Sequence, residues 1–142
     1  MEKLDEILFY TLEKSIKVYR KFAQHQILKN GYDITIDQWL VLKTLQENKH
    51  LSQHQIAELV FKDFASVTRI IELLVQKQYV DRKINASDRR KFDLGITEKG
   101  NKIIEDIYPI VIENRKQALT GLTAEDINTL KNQLEKIIIN TK

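Results

Sequence analysis

Apolar residues recur every three or four positions along both ends of the chain. The first such stripe covers residues 4–27 and stops near Asn30-Gly31, a pair that is typical of helix ends. Two further stripes follow Thr97 and Thr123, which can each cap a helix. The spacing predicts one long helix at the start and two at the end, and Pro109 is expected to kink the first of these two.

Shorter helices are predicted between these ends. Thr35 is followed by Gln38, and Ser52 is followed by Gln55, so both pairs fit the capping-box pattern that opens a helix. Asp63 is a candidate cap for a fourth helix that runs to about residue 77. The two short helices around residue 60 lie close enough in sequence to form a helix-turn-helix.

The hydrophobic period changes over residues 80–84 and 91–96, where apolar and polar residues alternate. Turn-prone residues separate the two runs, so they predict one β-hairpin. A helix-turn-helix followed by a hairpin is a winged unit. We therefore expect a mainly α fold with a small β-hairpin wing, in which N- and C-terminal dimerisation helices flank a winged helix-turn-helix domain.

The chain of 142 residues is predicted to be a single domain over residues 1–142. The winged part covers about 35–100, and the flanking helices cover about 2–30 and 101–140. The apolar stripes on these flanking helices are larger than one small winged domain can cover. They therefore predict a homodimer.

Composition narrows the function. The chain has no cysteine, which excludes disulfides and thiol redox sensing and fits a cytoplasmic protein. No apolar run approaches the roughly 20 residues of a membrane span, so no membrane partner is expected. The net charge of +3 is a mild indication of a polyanionic partner.

The chemistry of an enzyme is not apparent. There is no glycine-rich phosphate loop and no Ser, His and acid set, so we expect neither an enzyme nor a cofactor. His50 and His54 have the spacing of a helical metal pair, but Ser52 is expected to begin the helix between them. No metal site is therefore predicted.

The predicted fourth helix is amphipathic. Its apolar face comprises Val67, Ile70, Ile71 and Leu74, whereas Ala65, Arg69, Glu72 and Gln76 lie opposite, with Lys62, Ser66 and Thr68 on the flanks. Near the start of this helix, the candidates for contacts with base edges or phosphates are Lys62, Ala65, Ser66, Thr68 and Arg69. An ordinary solvated face explains the same pattern, so the hairpin has to decide between the two interpretations.

The hairpin is strongly basic. Between Arg82 and Lys91 its cations are Arg82, Lys83, Arg89, Arg90 and Lys91, and Asp88 is the one acid in that stretch. In a wing these cations lie where a DNA backbone passes, and an arginine at the tip can enter the narrow minor groove. The phosphates would then relieve the repulsion between the cations. Asp88 is either a turn former or a partner that holds Arg90 extended.

Several segments resemble the MarR family of bacterial transcription regulators. Asp88-x-Arg90 followed after five residues by Ile96-Thr97 is similar to the family's wing signature. The segments ITEKG, VTRIIELL, YVDR and ITIDQWLVLKTL are similar at matching spacing. The sequence departs from the family at Gln78, which stands where glycine is common, so a left-handed residue there would be strained, and at Leu73, which stands where a cation is common.

The resemblance implies a dimeric, sequence-specific DNA-binding repressor of palindromic operators that a small-molecule effector releases. Ser66, Thr68 and Arg69 would face the major groove, and Arg90, positioned by Asp88, would face the minor groove. An effector pocket for a small aromatic ligand would involve Tyr19, Phe22, His25 and Trp39, although core packing explains these four residues equally well. The alternative function is a winged-helix protein–protein interaction module that binds an acidic partner surface.

Overall fold

The computed structural model describes residues 1–142 and contains six α-helices and one hairpin. The elements in chain order are a short 3-10 turn at Leu4–Glu6, α1 Leu8–Lys29, α2 Ile36–Glu47, α3 Gln53–Leu59, α4 Phe64–Gln76, β1 Val80–Ile84, β2 Phe92–Ile96, α5 Glu98–Ala118 and α6 Ala124–Thr141. This arrangement confirms the predicted fold class, a mainly α chain with a β-hairpin wing.

Side-chain caps begin the helices where the sequence predicts them. Thr35 and Ser52 each accept a hydrogen bond from the backbone of the glutamine three residues later, and both capping boxes are complete. Asp63, Thr97 and Thr123 cap α4, α5 and α6 in the same way. These caps satisfy backbone N–H groups that have no partner within the helix.

The start of the first helix differs from the prediction. The backbone N–H of Lys3 donates to Glu6 Oε2 at 2.8 Å, which closes a separate turn. Ile7 then has an extended backbone, and α1 begins at Leu8. The apolar stripe continues through this break, so the spacing of apolar residues alone does not reveal the turn.

The core lies within the winged unit and beneath the flanking helices. Its buried residues are Ile27, Ile34, Val41, Leu42, Leu45, Ile56, Ala57, Val60, Val67, Ile71, Leu74, Val80, Ile104, Ile107 and Val111. They come from α1 to α5 and from β1. This core therefore packs α3, α4 and the base of the hairpin on the same body as α1 and α5.

The hairpin is a two-stranded antiparallel sheet in which Val80 pairs with Ile96 and Ile84 pairs with Phe92. At its base, Thr97 donates from its hydroxyl to the carbonyl of Gln78 at 2.7 Å. Only the base of the hairpin contributes a fully buried side chain, that of Val80. The rest of the wing projects from the body.

The terminal helices carry apolar residues that the chain itself does not cover. Helix α6 buries no residue, although Leu130, Ile138 and Ile139 lie along it. Leu8 and Phe9 of α1 are also exposed. Helix α5 continues through Pro109 as one helix. None of the helices is long and apolar enough to cross a membrane.

Candidate nucleic-acid interface

Helices α3 and α4 form the helix-turn-helix. After α3 the chain reverses at Phe61, which has a left-handed backbone with φ of 61°. Val67, Ile71 and Leu74 anchor α4 because their side chains are buried in the core. The opposite face of α4 stays in solvent and carries Ala65, Arg69, Glu72 and Gln76, as the amphipathic pattern predicts.

The first turn of α4 is ordered by Asp63. Its carboxylate accepts from the backbone N–H of Ser66 at 2.7 Å and from the Ser66 hydroxyl at 2.9 Å. These two hydrogen bonds lower the pKa of Asp63 from 3.8, the backbone bond contributing most. The Ser66 side chain is therefore held by the cap, with its oxygen still able to accept a further hydrogen bond.

Thr68 has two partners within the protein. Its hydroxyl donates to the carbonyl of Phe64 at 3.0 Å and accepts from the side-chain amide of Gln53. The second bond joins the start of α3 to α4. Gln53 contributes to this surface, and sequence reasoning missed it because the contact depends on how the two helices pack.

Lys62, just before α4, also has a partner. Its Nζ lies 3.1 Å from Oδ2 of Asp37 in α2, and both side chains are about one-third exposed. A DNA phosphate near this lysine would share it with Asp37. The sequence predicts Lys62 as a DNA-binding candidate, but it does not predict the ion pair with Asp37, which lies 25 positions earlier.

The wing tip is built on two side-chain turns. Asn85 accepts from the backbone N–H groups of Ser87 and Asp88 at 2.8 and 2.9 Å. Asp88 in turn accepts from the backbone N–H of Arg90 at 3.0 Å and from its Nε at 3.2 Å. The pKa of Asp88 is lowered from 3.8 for these reasons, the backbone bond first. The structure thus contains the Asp88–Arg90 pair that the motif suggests.

Asp88 orients the Arg90 side chain without covering it, since 91% of that side chain remains exposed. Lys83, Arg89 and Lys91 are also exposed and have no ion-pair partner. The guanidinium of Arg82 lies over the Phe92 ring at 4.9 Å, a cation–π contact between the strands. The wing therefore presents a cluster of cations that intramolecular acids leave largely unneutralised.

A groove of about 520 Å³ lies between this wing and the helix-turn-helix. Arg90 and Lys91 line it from the wing, while His54 and Phe64 line it from α3 and α4. The rings of His54 and Phe64 are 4.3 Å apart. In the sequence, His54 stands out only through its spacing from His50, which does not predict a metal site. In the structure, no group of three or more His, Cys, Asp or Glu side chains could hold a metal ion.

The four aromatic and imidazole residues predicted near a ligand pocket are not all together. Tyr19 and Phe22 of α1 line a groove of about 310 Å³ with Gln117 and Ala118 at the end of α5. His25 is exposed on α1, and Trp39 packs against the core. The structure thus joins two of the four at one groove.

The buried helix pair, the exposed face of α4 and the basic hairpin define a winged helix-turn-helix protein. Residues 34–92 match the model of the MarR family, described as "MarR family". This match covers the winged part of the chain, which is similar in sequence to the MarR family.

Solved structures resemble almost the whole chain. A Listeria innocua protein of unknown function is 29% identical, with 95% of this chain and 93% of that chain covered and a TM-score of 0.70. Bordetella bronchiseptica BpsR, whose DNA binding is regulated by 6-hydroxynicotinic acid, is 20% identical, with 96% of each chain covered and a TM-score of 0.86. Escherichia coli MarR in its apo form is 23% identical, with 92% of this chain and 96% of that chain covered and a TM-score of 0.77. The chain has the fold of MarR-family transcriptional regulators.

Proposed function

We propose that this protein is a dimeric, sequence-specific DNA-binding transcription regulator that represses palindromic operators. The observation that carries this proposal is the shared groove, which Phe64 at the start of α4 lines together with Arg90 and Lys91 of the wing. The start of the recognition helix and the wing tip therefore lie on the same side of the molecule. A duplex on that side meets both at once.

The exposed face of α4 supplies the major-groove contacts in this proposal. Arg69 is exposed, one turn after Ala65, and its forked guanidinium suits the O6 and N7 atoms of guanine. Ser66 offers an acceptor beside it. Thr68 contributes mainly by fixing α3 against α4, because both of its hydrogen bonds are internal.

The wing supplies the second set of contacts. Arg90 extends from a turn that Asp88 stabilises, which suits insertion into a narrow minor groove. Lys83, Arg89 and Lys91 supply charge for the flanking phosphates, and Arg82 does so from its position over Phe92.

A second copy of this chain covers the terminal helices. Helix α6 has no buried residue, yet it has apolar side chains along its length. An amphipathic helix of 18 residues without an intramolecular partner requires another apolar surface. The exposed apolar residues of α1 provide it in a symmetric pair.

A small aromatic effector fits the groove between α1 and α5. Tyr19 and Phe22 give it aromatic walls, and Gln117 gives it a polar group. The DNA binding of the structural relative BpsR is regulated by 6-hydroxynicotinic acid, a small aromatic acid. Binding of such a molecule would release the operator if it favours a different spacing of the two winged units.

The direct test is selection of a binding duplex from a random pool, followed by fluorescence anisotropy at several salt concentrations. We expect one enriched palindrome, with affinity that falls as salt rises. Arg90→Ala should weaken binding and flatten the salt dependence by about two counterions per dimer, since one contact is lost in each subunit.

Lys17→Ala is the matched control, because Lys17 is an exposed cation on α1 that pairs with Glu13. It should leave the salt dependence unchanged. A wild-type protein that enriches no duplex contradicts the proposed function. An Arg90→Ala curve that overlays the wild-type curve contradicts the role of the wing.

A further inference from the structure

Residues 33–38, at the start of α2, contact α1 and both ends of the recognition helix through polar side chains. We call this segment the polar hub. It is a short stretch that includes the Thr35 cap and the first turn of α2. Its contacts are hydrogen bonds and ion pairs, which have defined geometry, unlike the apolar contacts of the core beneath it.

Helix α1 holds the polar hub with two side chains one turn apart. Arg20 donates from Nη2 to Oδ1 of Asp37 at 2.5 Å. Gln24 donates to the carbonyl of Ile34 at 3.0 Å and accepts from the backbone N–H of Ile36 at 2.9 Å. Gln24 therefore satisfies one backbone group just before α2 and one at the first residue of α2.

The recognition helix is attached to the same hub at both ends. Before α4, Lys62 lies 3.1 Å from the second oxygen of Asp37. After α4, Nζ of Lys77 donates to the carbonyl of Asp33 at 2.5 Å and lies 3.6 Å from its carboxylate. One segment of six residues thus connects α1 with each end of α4.

Asp37 is the residue that joins the two sides. Each of its oxygens has a different cationic partner, one on α1 and one in the turn before α4. The three side chains are between 28% and 38% exposed, so solvent screens them less than it screens surface pairs. Loss of this carboxylate removes the ionic link between α1 and the turn.

We propose that the polar hub fixes the orientation of the recognition helix relative to α1, so that Arg20, Gln24 and Asp37 are positioning residues that determine DNA specificity. This inference rests on the proposed function. Base contacts need closely placed donors and acceptors, whereas phosphate contacts tolerate displacement. A loosened hub therefore weakens binding to the selected operator more than binding to other DNA.

The sign of the effect separates this role from simple electrostatics. Asp37→Asn removes one negative charge and frees Lys62 for a phosphate, which by itself strengthens binding to any DNA. The hub account instead predicts that the ratio of operator affinity to scrambled-duplex affinity falls about tenfold, the effect of losing one good base contact. Anisotropy with the selected duplex and a scrambled duplex of equal length measures this ratio.

Glu47→Gln is the matched control. Glu47 lies at the other end of α2, where it makes an exposed pair with Lys43 at 3.4 Å. This variant loses the same charge from the same helix without touching the hub. We expect its affinity ratio to equal that of the wild type.

Arg20→Met tests whether the effect passes through Asp37. Arg20→Met alone should lower the affinity ratio, but it should have no further effect in the Asp37→Asn protein. Arg20→Met keeps the Asp37–Lys62 pair, so it decides the question if Asp37→Asn does not fold, as judged by circular dichroism. An unchanged ratio in the variants, with a wild-type protein that binds its selected duplex, overturns the hub and leaves the proposed function intact. A wild-type protein that selects no duplex overturns the proposed function itself.

Discussion

At the residue scale, the wing motif has a structural explanation that starts with the backbone. Asp88 accepts two hydrogen bonds from Arg90, one from its backbone and one from its side chain. Both favour the ionised carboxylate, so the pKa of Asp88 lies below 3.8. Because this folded-state pKa is below the unfolded value, the carboxylate stabilises the turn above the unfolded pKa. That contribution is lost as the pH falls through the folded pKa.

We expect Arg90→Ala to raise the pKa of Asp88 only part of the way to 3.8. The side-chain donor is removed, whereas the backbone donor, which has the larger effect, remains. Carboxyl carbon chemical shifts recorded by NMR from pH 2 to 6 measure this directly. If the pKa of Asp88 in the variant rose fully to 3.8, the Arg90 side chain alone would account for the lowered pKa.

Three residues other than glycine adopt left-handed backbones at the ends of short helices. They are His50, Phe61 and Gln78, with φ values of 64°, 61° and 65°. The sequence predicts a strained, left-handed residue at Gln78, and the positive φ of Gln78 confirms the left-handed conformation. The other two positions could not be predicted, because only the directions of the flanking helices require the backbone to reverse there.

We expect Gln78→Gly to stabilise the protein by about 0.5–1 kcal/mol, since glycine adopts the left-handed conformation without the clash of a Cβ atom but has more freedom when unfolded. Gln78→Ala is the control, because it shortens the side chain and keeps the clash. Urea unfolding of the three proteins gives the comparison. Equal stabilisation by alanine and glycine would contradict the argument from backbone strain.

At the scale of the elements, capping residues made the helices predictable. Thr35, Ser52, Asp63, Thr97 and Thr123 all begin helices in the structure. Their signal is local, since a cap binds the backbone only two or three residues away. The predicted start of the first helix is wrong, because Glu6 closes a separate turn on Lys3 before α1 begins. The spacing of apolar residues gives no sign of this turn.

The join between the wing and α5 depends on Gly100. A Cβ atom at this position would lie 2.3 Å from the carbonyl oxygen of Tyr79 and 2.7 Å from Ile96 Cγ1. The ITEKG segment needs its glycine because helix and hairpin approach closely here. The sequence shows the motif, but the reason for this glycine becomes visible only in the packed structure.

We expect Gly100→Ala to destabilise the fold by about 1–3 kcal/mol, the usual effect of overpacking a tight contact. Gly95→Ala is the control, since a Cβ atom at Gly95 meets nothing within 4 Å. Thermal unfolding of both variants tests the difference. A Gly100→Ala protein as stable as Gly95→Ala would show that helix and hairpin can separate at no cost.

At the scale of the whole molecule, the sequence predicts which side chains could contact DNA. It does not predict which residues from distant parts of the chain those side chains contact. The sequence identifies Lys62, Thr68 and Arg90 as DNA-facing candidates. It does not identify Asp37 or Gln53, because contacts between distant elements arise from packing. Asp88 was predictable because it lies two residues from Arg90.

The apolar faces of α1 and α6 lead to the central claim, which is that two copies of this chain bind one palindromic duplex. The measurement that tests it most directly is light scattering of the purified complex with the selected duplex. We predict two chains of 16.7 kDa for each duplex, and a free protein of twice the chain mass at micromolar concentration. A stable complex that contains a single chain for each duplex would contradict the account.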